Sequence, residues 1–276
     1  CDTYKSANQQ VLALLHHNQV VDYSDAMCTQ PGVTPLTWHH EGGKATFWHS
    51  SAHLLAYALE NLYPGIKFGT GPAIESGFYY DVDFGDQVFS EKDFMKVEQK
   101  MLELAKKGFQ NIRKQVSKHD AEAYFRKKND PYKLEILEGL ADGNITLYET
   151  GGFVDLCAGP HLPDTALIKA VKITNVAGAY WRGNEKNKML TRIYGISFPA
   201  KELLLEYLHH IEEARKRDHR KIGKELDLFY FDEEVGMGLP LWAPKGEALR
   251  QNLIEYLKKV QRKAGYQHVA TPHIGK

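Results

Sequence analysis

Cysteine is scarce in this chain: 276 residues hold only Cys1, Cys28 and Cys157. So small and odd a number builds no disulfide framework and points to a reducing compartment, the cytoplasm. Net charge is also missing, with 35 Lys and Arg against 35 Asp and Glu. No global field therefore recruits nucleic acid, and RNA contact falls to local patches such as Lys216-Arg217-Asp218-His219-Arg220-Lys221. No window approaches the ~20 apolar residues of a membrane span, and no cationic-then-apolar leader opens the chain. Internal repeats and low-complexity tracts are absent too. These gaps exclude a disulfide scaffold, a membrane-spanning protein and a general polyelectrolyte binder.

The composition itself is ordinary for a globular protein, 43% hydrophobic and 25% charged, at a length that suits roughly two domains of ~100–200 residues. Residues 11–15 read as a strand or a helix turn, with Pro31-Gly32 and Pro35 punctuating the next stretch, and no chemistry shows there. Thr46 is a plausible N-cap for a helix carrying Ala52, Ala56, Leu59 and Leu62 and stopping at Tyr63-Pro64-Gly65. Residues 77–83 have aromatic strand character. Ser90-Glu91-Lys92-Asp93 resembles a capping box ahead of an amphipathic helix marked by Phe94, Val97, Met101 and Leu104. A strand at 112–116, short helices at 120–127 and 131–137, and a strand pair at 145–148 and 153–156 come next. Two more strands, 169–176 and 190–196, flank Ala179-Tyr180-Trp181-Arg182-Gly183. Pro199 opens a long charged helix to about Lys224. Beyond it come a strand at 226–231, a helix marked by Leu249, Leu253, Leu257 and Val260, and a strand at 266–270 before Pro272.

The chemistry concentrates in two spaced pairs. His49 and His53 lie one helical turn apart on one face, and Cys157 and His161 repeat the four-residue spacing in a turn that contains Gly159 and Pro160. Four such groups suit a closed zinc site, three plus water a hydrolytic one, and without metal they suit proton transfer near neutral pH. With thirteen histidines an isolated His-x-x-x-His arises by chance and reads as surface or core. Two paired motifs reverse that reading. Cys157 is either a small buried residue or a thiolate nucleophile activated across the turn by His161. Asp155 alternates with Cys157 on one face of a strand, or is a turn carboxylate. Lys133 by itself reads as a solvated helix charge, and Tyr79 and Tyr80 as core aromatics.

Taken together, several blocks resemble the bacterial-type threonyl-tRNA synthetases: Phe47-Trp48-His49-Ser50-Ser51-Ala52-His53, Gly71-Pro72-Ala73-Ile74-Glu75-Ser76-Gly77-Phe78-Tyr79-Tyr80-Asp81 and Asp155-Leu156-Cys157-Ala158-Gly159-Pro160-His161. Gly178-Ala179-Tyr180-Trp181-Arg182-Gly183, Arg192-Ile193-Tyr194-Gly195 and Arg217-Asp218-His219-Arg220-Lys221-Ile222-Gly223 continue the series in order. The resemblance runs from about Gly42 to the C-terminus.

That resemblance implies an α+β protein. Residues 1–40 would be part of a small ubiquitin-like module and 41–198 an editing domain with an antiparallel sheet packed on helices. Residues 199–224 would be a linker helix, and 225–276 the start of a class II synthetase core with its first motif, the usual homodimer interface. The implied activity is hydrolysis of seryl-tRNA(Thr) made in error. His49, His53, Cys157 and His161 would form the site, joined by Asp155, Lys133 and Tyr80, with Lys133 and His49 handling the water. Tyr80 or Tyr180 would stack on the terminal base. No metal is expected for editing, with zinc on His49, His53, Cys157 and His161 as the alternative. ATP, Mg and a catalytic-site zinc belong to motifs not found here, so the chain reads as a fragment that does not aminoacylate. Competing readings are a free-standing trans-editing deacylase, against which residues 226–276 argue, and a non-catalytic zinc-stabilised RNA-binding module.

Overall fold

The computed structural model describes residues 10–24, 28, 30–236 and 238–271. The fold is α+β, with wholly antiparallel sheets. The chain divides into two compact units between Leu205 and Glu206.

The first unit opens with β1 (Ala13–His16) and β2 (Gln19–Val21), joined by His17 and Asn18, both at positive φ. Two such residues in a two-residue loop match the right-handed twist of the flanking strands. β3 (Thr34–Leu36) pairs with the other side of β1, so the ambiguous run at 11–15 leads into and forms the central strand of this sheet, with Val11, Leu12, Ala13 and Leu14 buried. This small sheet lies in the same unit as everything up to Leu205.

Helix α1 (Glu41–Leu62) comes next. It begins five residues earlier than the Thr46 cap expected from sequence, because Gly42-Gly43 reads as a loop but is helical. A Cβ on Gly43 would sit 2.1 Å from the Thr37 carbonyl oxygen, so only glycine lets the helix pass that backbone. Thr46 instead donates to the Gly42 carbonyl at 2.8 Å, and Ser50 and Ser51 likewise satisfy their hydroxyls on the preceding turn. Phe47, Ala52, Leu54, Leu55, Ala56, Ala58 and Leu59 are wholly buried. A helix apolar on nearly every side is a central helix.

Around it, β4 (Lys67–Phe68), β5 (Ala73–Ile74) and β6 (Gly77–Asp83) begin a sheet that two strands from later in the chain complete. The Ser90/Asp93 capping box forms as expected and leads into α2 (Phe94–Lys106), which buries Val97, Met101 and Leu104. A second sheet is built from β7 (Asn111–Val116), then, after α3 (Lys118–Lys127) and α4 (Pro131–Glu138), from β8 (Ile145–Thr150) and β9 (Phe153–Leu156). Ala121, Phe125, Leu137, Ile145 and Leu147 form the core between its helices and strands. The chain then returns as β10 (Ala170–Tyr180) and β11 (Met189–Phe198), whose ladder bulges at Thr174. Next to the bulge, Glu98 of α2 accepts the Ile173 amide at 2.9 Å.

The expected single helix to Lys224 is two. α5 (Lys201–Lys216) stops, and Asp218 accepts from the Arg220 amide at 2.8 Å to cap α6 (His219–Glu225). A short acidic side chain there competes with the continuing ladder. In the second unit the expected strand at 226–231 shrinks to β12 (Phe229–Tyr230), paired with β13 (Leu241–Trp242). Helix α7 (Pro244–Lys263) comes after it, with Leu249, Leu253, Leu257 and Val260 exposed. The expected strand at 266–270 does not form, since no partner strand reaches it among the described residues, and Pro272 lies outside them. No described helix is long and apolar enough to cross a membrane.

Alanine for glycine within a helix ordinarily stabilises by about 1 kcal/mol. Gly43→Ala is expected to do the reverse, costing about 1–3 kcal/mol through the clash with Thr37. A urea-unfolding midpoint at or above the parent's would contradict that close approach.

Candidate active site

α1 sets His49 and His53 one turn apart, ring centroids 5.2 Å from each other. The loop leaving β9 turns back through a cis Gly159–Pro160 bond and brings Cys157 and His161 to the same place. Cys157 Sγ lies 3.3 Å from His49 Nε2 and 3.4 Å from His161 Nε2. The His161 ring centroid is 4.4 Å from that of His49 and 4.2 Å from that of His53. One donor atom from each of the four residues falls within 4.8 Å of all the others.

Behind this cluster lies a buried ion pair. Asp155 on β9 contacts Lys133 Nζ at 2.5 Å through Oδ1 and His53 Nε2 at 3.6 Å through Oδ2. The Tyr80 hydroxyl donates to the same Oδ2 and accepts from Lys133 Nζ at 3.2 Å. Lys133 gets there because Asp130 caps α4, accepting from the Tyr132 and Lys133 amides, while its other oxygen accepts from Phe68 N. Lys133 and Asp155 are 3% and 2% exposed, so the solvated-lysine reading does not hold. Tyr80 is 0% exposed. Its ring is therefore closed to a nucleic-acid base, and the stacking role expected for it is corrected to one of holding Asp155. Tyr180 ends β10, four residues beyond Val176, whose partner Ile193 pairs with Tyr80. That separation is about 13 Å along a strand. Tyr180 is exposed and joins no hydrogen bond or ring contact with the cluster among the described residues.

Burial decides the protonation states. It lowers His49 and takes His53 and His161 well below the usual histidine range, so all three are neutral imidazoles. It also pushes the Cys157 thiol up to about 12, which leaves little thiolate and weakens the nucleophile reading. Three neutral imidazoles and one thiol form a donor set of the zinc-binding kind. Tetrahedral zinc separates its ligands by roughly 3.3–3.6 Å, and the two sulfur–nitrogen distances agree. The outer partners of the rings fit as well: Ser50 Oγ lies 3.1 Å from His161 Nδ1, and a Pro160 backbone hydrogen bond holds His49. His53 Nδ1 is buried without a hydrogen-bond partner. The residues therefore fit a zinc ion.

Two residues of the site escaped the sequence reading. Ser50 also accepts from Leu162 N at 2.8 Å, clamping the loop end. Its place between the two histidines was the available signal. Asp22, just after β2, accepts from the His161 amide at 2.8 Å and the Tyr148 hydroxyl at 2.6 Å, and nothing local marks it.

Of the four clustered groups, His49 alone lines a 270 Å³ pocket, walled by Val20, Gly42, Ala45, Pro72, Ala73 and Pro160 among others. A larger 670 Å³ cavity beside Trp38, Lys44 and Lys169 includes none of the clustered residues, so the chemistry favours the smaller one.

This arrangement has relatives. Residues 145–194 match the family described as the threonyl and alanyl tRNA synthetase second additional domain. That stretch, which holds Cys157 and His161, is thus similar to a synthetase additional domain. A threonine–tRNA ligase of Cytophaga hutchinsonii is 62% identical over 267 residues. One of Porphyromonas gingivalis is 56% identical over 268, and one of Bacteroides thetaiotaomicron 55% over 267. Each alignment covers 97% of this chain and 41% of the relative. The chain belongs with the bacterial threonine–tRNA ligases, and it spans about two fifths of the length of these curated relatives.

A histidine that titrates near 6.5 when unfolded but lower when folded makes the unfolded chain the better proton acceptor. Stability is then full above about pH 6.5 and is lost as pH falls below it, by up to about 1.4 kcal/mol per pH unit per group. Urea midpoints of metal-free protein should fall between about pH 7 and pH 5.5, and less steeply in His53→Gln. Equal slopes in the two proteins would contradict a neutral buried His53.

Proposed function

We propose that this region hydrolyses serine from seryl-tRNA(Thr), as the proofreading centre of a threonine–tRNA ligase. The observation that carries the reading is that His49, a neutral imidazole, reaches an open pocket while its neighbours are fixed behind it. The matched family and the relatives' name add the synthetase context.

The need arises from size. Serine is threonine less one methyl, and one methyl in a pocket is worth only about 1–3 kcal/mol, or 10–200-fold. A second site that cleaves the smaller ester supplies the missing discrimination. The step needs a water, a base and a positioned ester. His49 takes a proton from water as its oxygen bonds to the seryl carbonyl carbon. The bond to the ribose oxygen of the terminal adenosine then breaks, and that oxygen leaves with a proton. Lys133, committed to Asp155 and Tyr80, acts as a fixed charge that orients Asp155 and so His53. Cys157 and His161 pack behind His49 and hold its ring in place.

The four-donor geometry favours a second reading in which His49, His53, Cys157 and His161 hold zinc. With four ligands the ion would be structural, and with three of them and the fourth position open it would polarise a water as a Lewis acid. In the longer protein we place threonine ligation with ATP and Mg, tRNA(Thr) as partner and assembly as a homodimer.

Deacylation of seryl- and threonyl-tRNA(Thr) tests the reading. Serine release should fall about 100-fold or more in His49→Ala, with the slow threonine release unchanged. Lys133→Ala should lose serine release and also lower stability by about 3–5 kcal/mol, because Asp155 is left buried alone. A wild-type rate equal to that of the free ester would remove the enzyme. Zinc analysis with deacylation in chelator separates the two versions. Full activity in metal-free protein removes the zinc reading, and activity that tracks zinc content removes His49 as base.

A further inference from the structure

Asp22 directly follows β2 of the small N-terminal sheet, yet one of its carboxylate oxygens is spent on the loop that carries His161 and the other on Tyr148, which packs over that loop. Oδ1 takes the His161 amide at 2.8 Å and Oδ2 the Tyr148 hydroxyl at 2.6 Å. We propose that Asp22 is a positioning residue of the hydrolytic centre, acting through Tyr148 and the His161 backbone, and that the N-terminal sheet is thereby part of that centre. The inference rests on the hydrolytic reading above.

Tyr148, on β8, is 1% exposed, and its ring centroid is 4.4 Å from that of His161. Its hydroxyl closes over Gly159: a Cβ there would lie 2.1 Å from the phenolic oxygen. Asp22 therefore pins the phenol that shapes the loop, and separately pins the amide of the residue the loop delivers. His161 is then held on its amide by Asp22, on Nδ1 by Ser50 at 3.1 Å and on one face by Tyr148. What remains is Nε2, aimed at Cys157. Two residues before Asp22, Val20 is a wall of the pocket that His49 lines. The same strand end thus supplies both an anchor and a wall.

A carboxylate matches this task because it accepts twice, from an amide and a phenol, and donates to neither. Asparagine keeps the geometry by another route. Its oxygen accepts from the amide, and its nitrogen donates to the phenolic oxygen. Alanine keeps neither bond.

The test is serine release from seryl-tRNA(Thr) by the full chain, with its Asp22→Ala, Asp22→Asn, Tyr148→Phe and Asp22→Ala/Tyr148→Phe variants, read alongside histidine ring NMR resonances. Asp22→Ala should lower kcat by about tenfold or more with KM unchanged, the cost of misplacing a group near the chemistry. Asp22→Asn should restore most of that loss. The double variant should be no worse than Asp22→Ala alone, since both changes interrupt one path. The His161 ring resonances should shift in Asp22→Ala and return in Asp22→Asn. Should Asp22→Ala not fold, Tyr148→Phe still decides, because an unchanged kcat there overturns the proposal. So do a wild-type kcat in Asp22→Ala, equal losses in the alanine and asparagine variants, or full additivity. A wild-type chain that releases no serine overturns the hydrolytic reading instead, and the NMR comparison then decides whether Asp22 orders His161.

Discussion

Removing a lysine and an aspartate from water costs several kcal/mol per ion, and only close geometry with further hydrogen bonds repays it. Lys133 and Asp155 meet that condition with Tyr80 between them and His53 against the far carboxylate oxygen. The four residues come from α4, β9, β6 and α1. One interaction thus ties the central helix, the sheet that holds β6 and the β7–β9 sheet together at the point where the imidazoles gather. A shift in any of those elements leaves an ion without its partner.

The centre that results is made of neutral groups on a charged foundation. Burial keeps the three imidazoles unprotonated and the thiol intact, states suited to accepting a proton or a metal alike. His49 differs from the other two histidines in being only partly buried, and that difference marks it as the group facing the pocket. Unpartnered His53 Nδ1 shows that the site does not settle every polar atom within itself.

How much of this was readable in the sequence depended on the range of each interaction. The His49/His53 face follows from helical spacing, and the Cys157–His161 turn from Gly159 and Pro160, so both were legible before any fold was known. The helix start was hidden because Gly42-Gly43 looks like punctuation, and only the passage beside Thr37 explains the pair. The break at Asp218 was hidden inside a charged run that suits an unbroken helix. Lys133 carried no local sign of burial and came to notice through resemblance alone. Ser50 and Asp22 bond to a residue 111 and 139 positions away respectively, and no window of sequence contains both ends. Tyr80 read as an aromatic face, whereas its hydroxyl is the part engaged with Asp155.

The bulge in β10 has an effect beyond its own strand. Glu98 holds the Ile173 amide, and Lys172 lies 3.1 Å from that carboxylate. Sliding the hairpin by one rung would turn its inward side chains outward and strand Glu98 without a donor. The acid at this outer edge therefore works as an index stop for the β10–β11 hairpin, the ladder on whose far side β6 carries Tyr80.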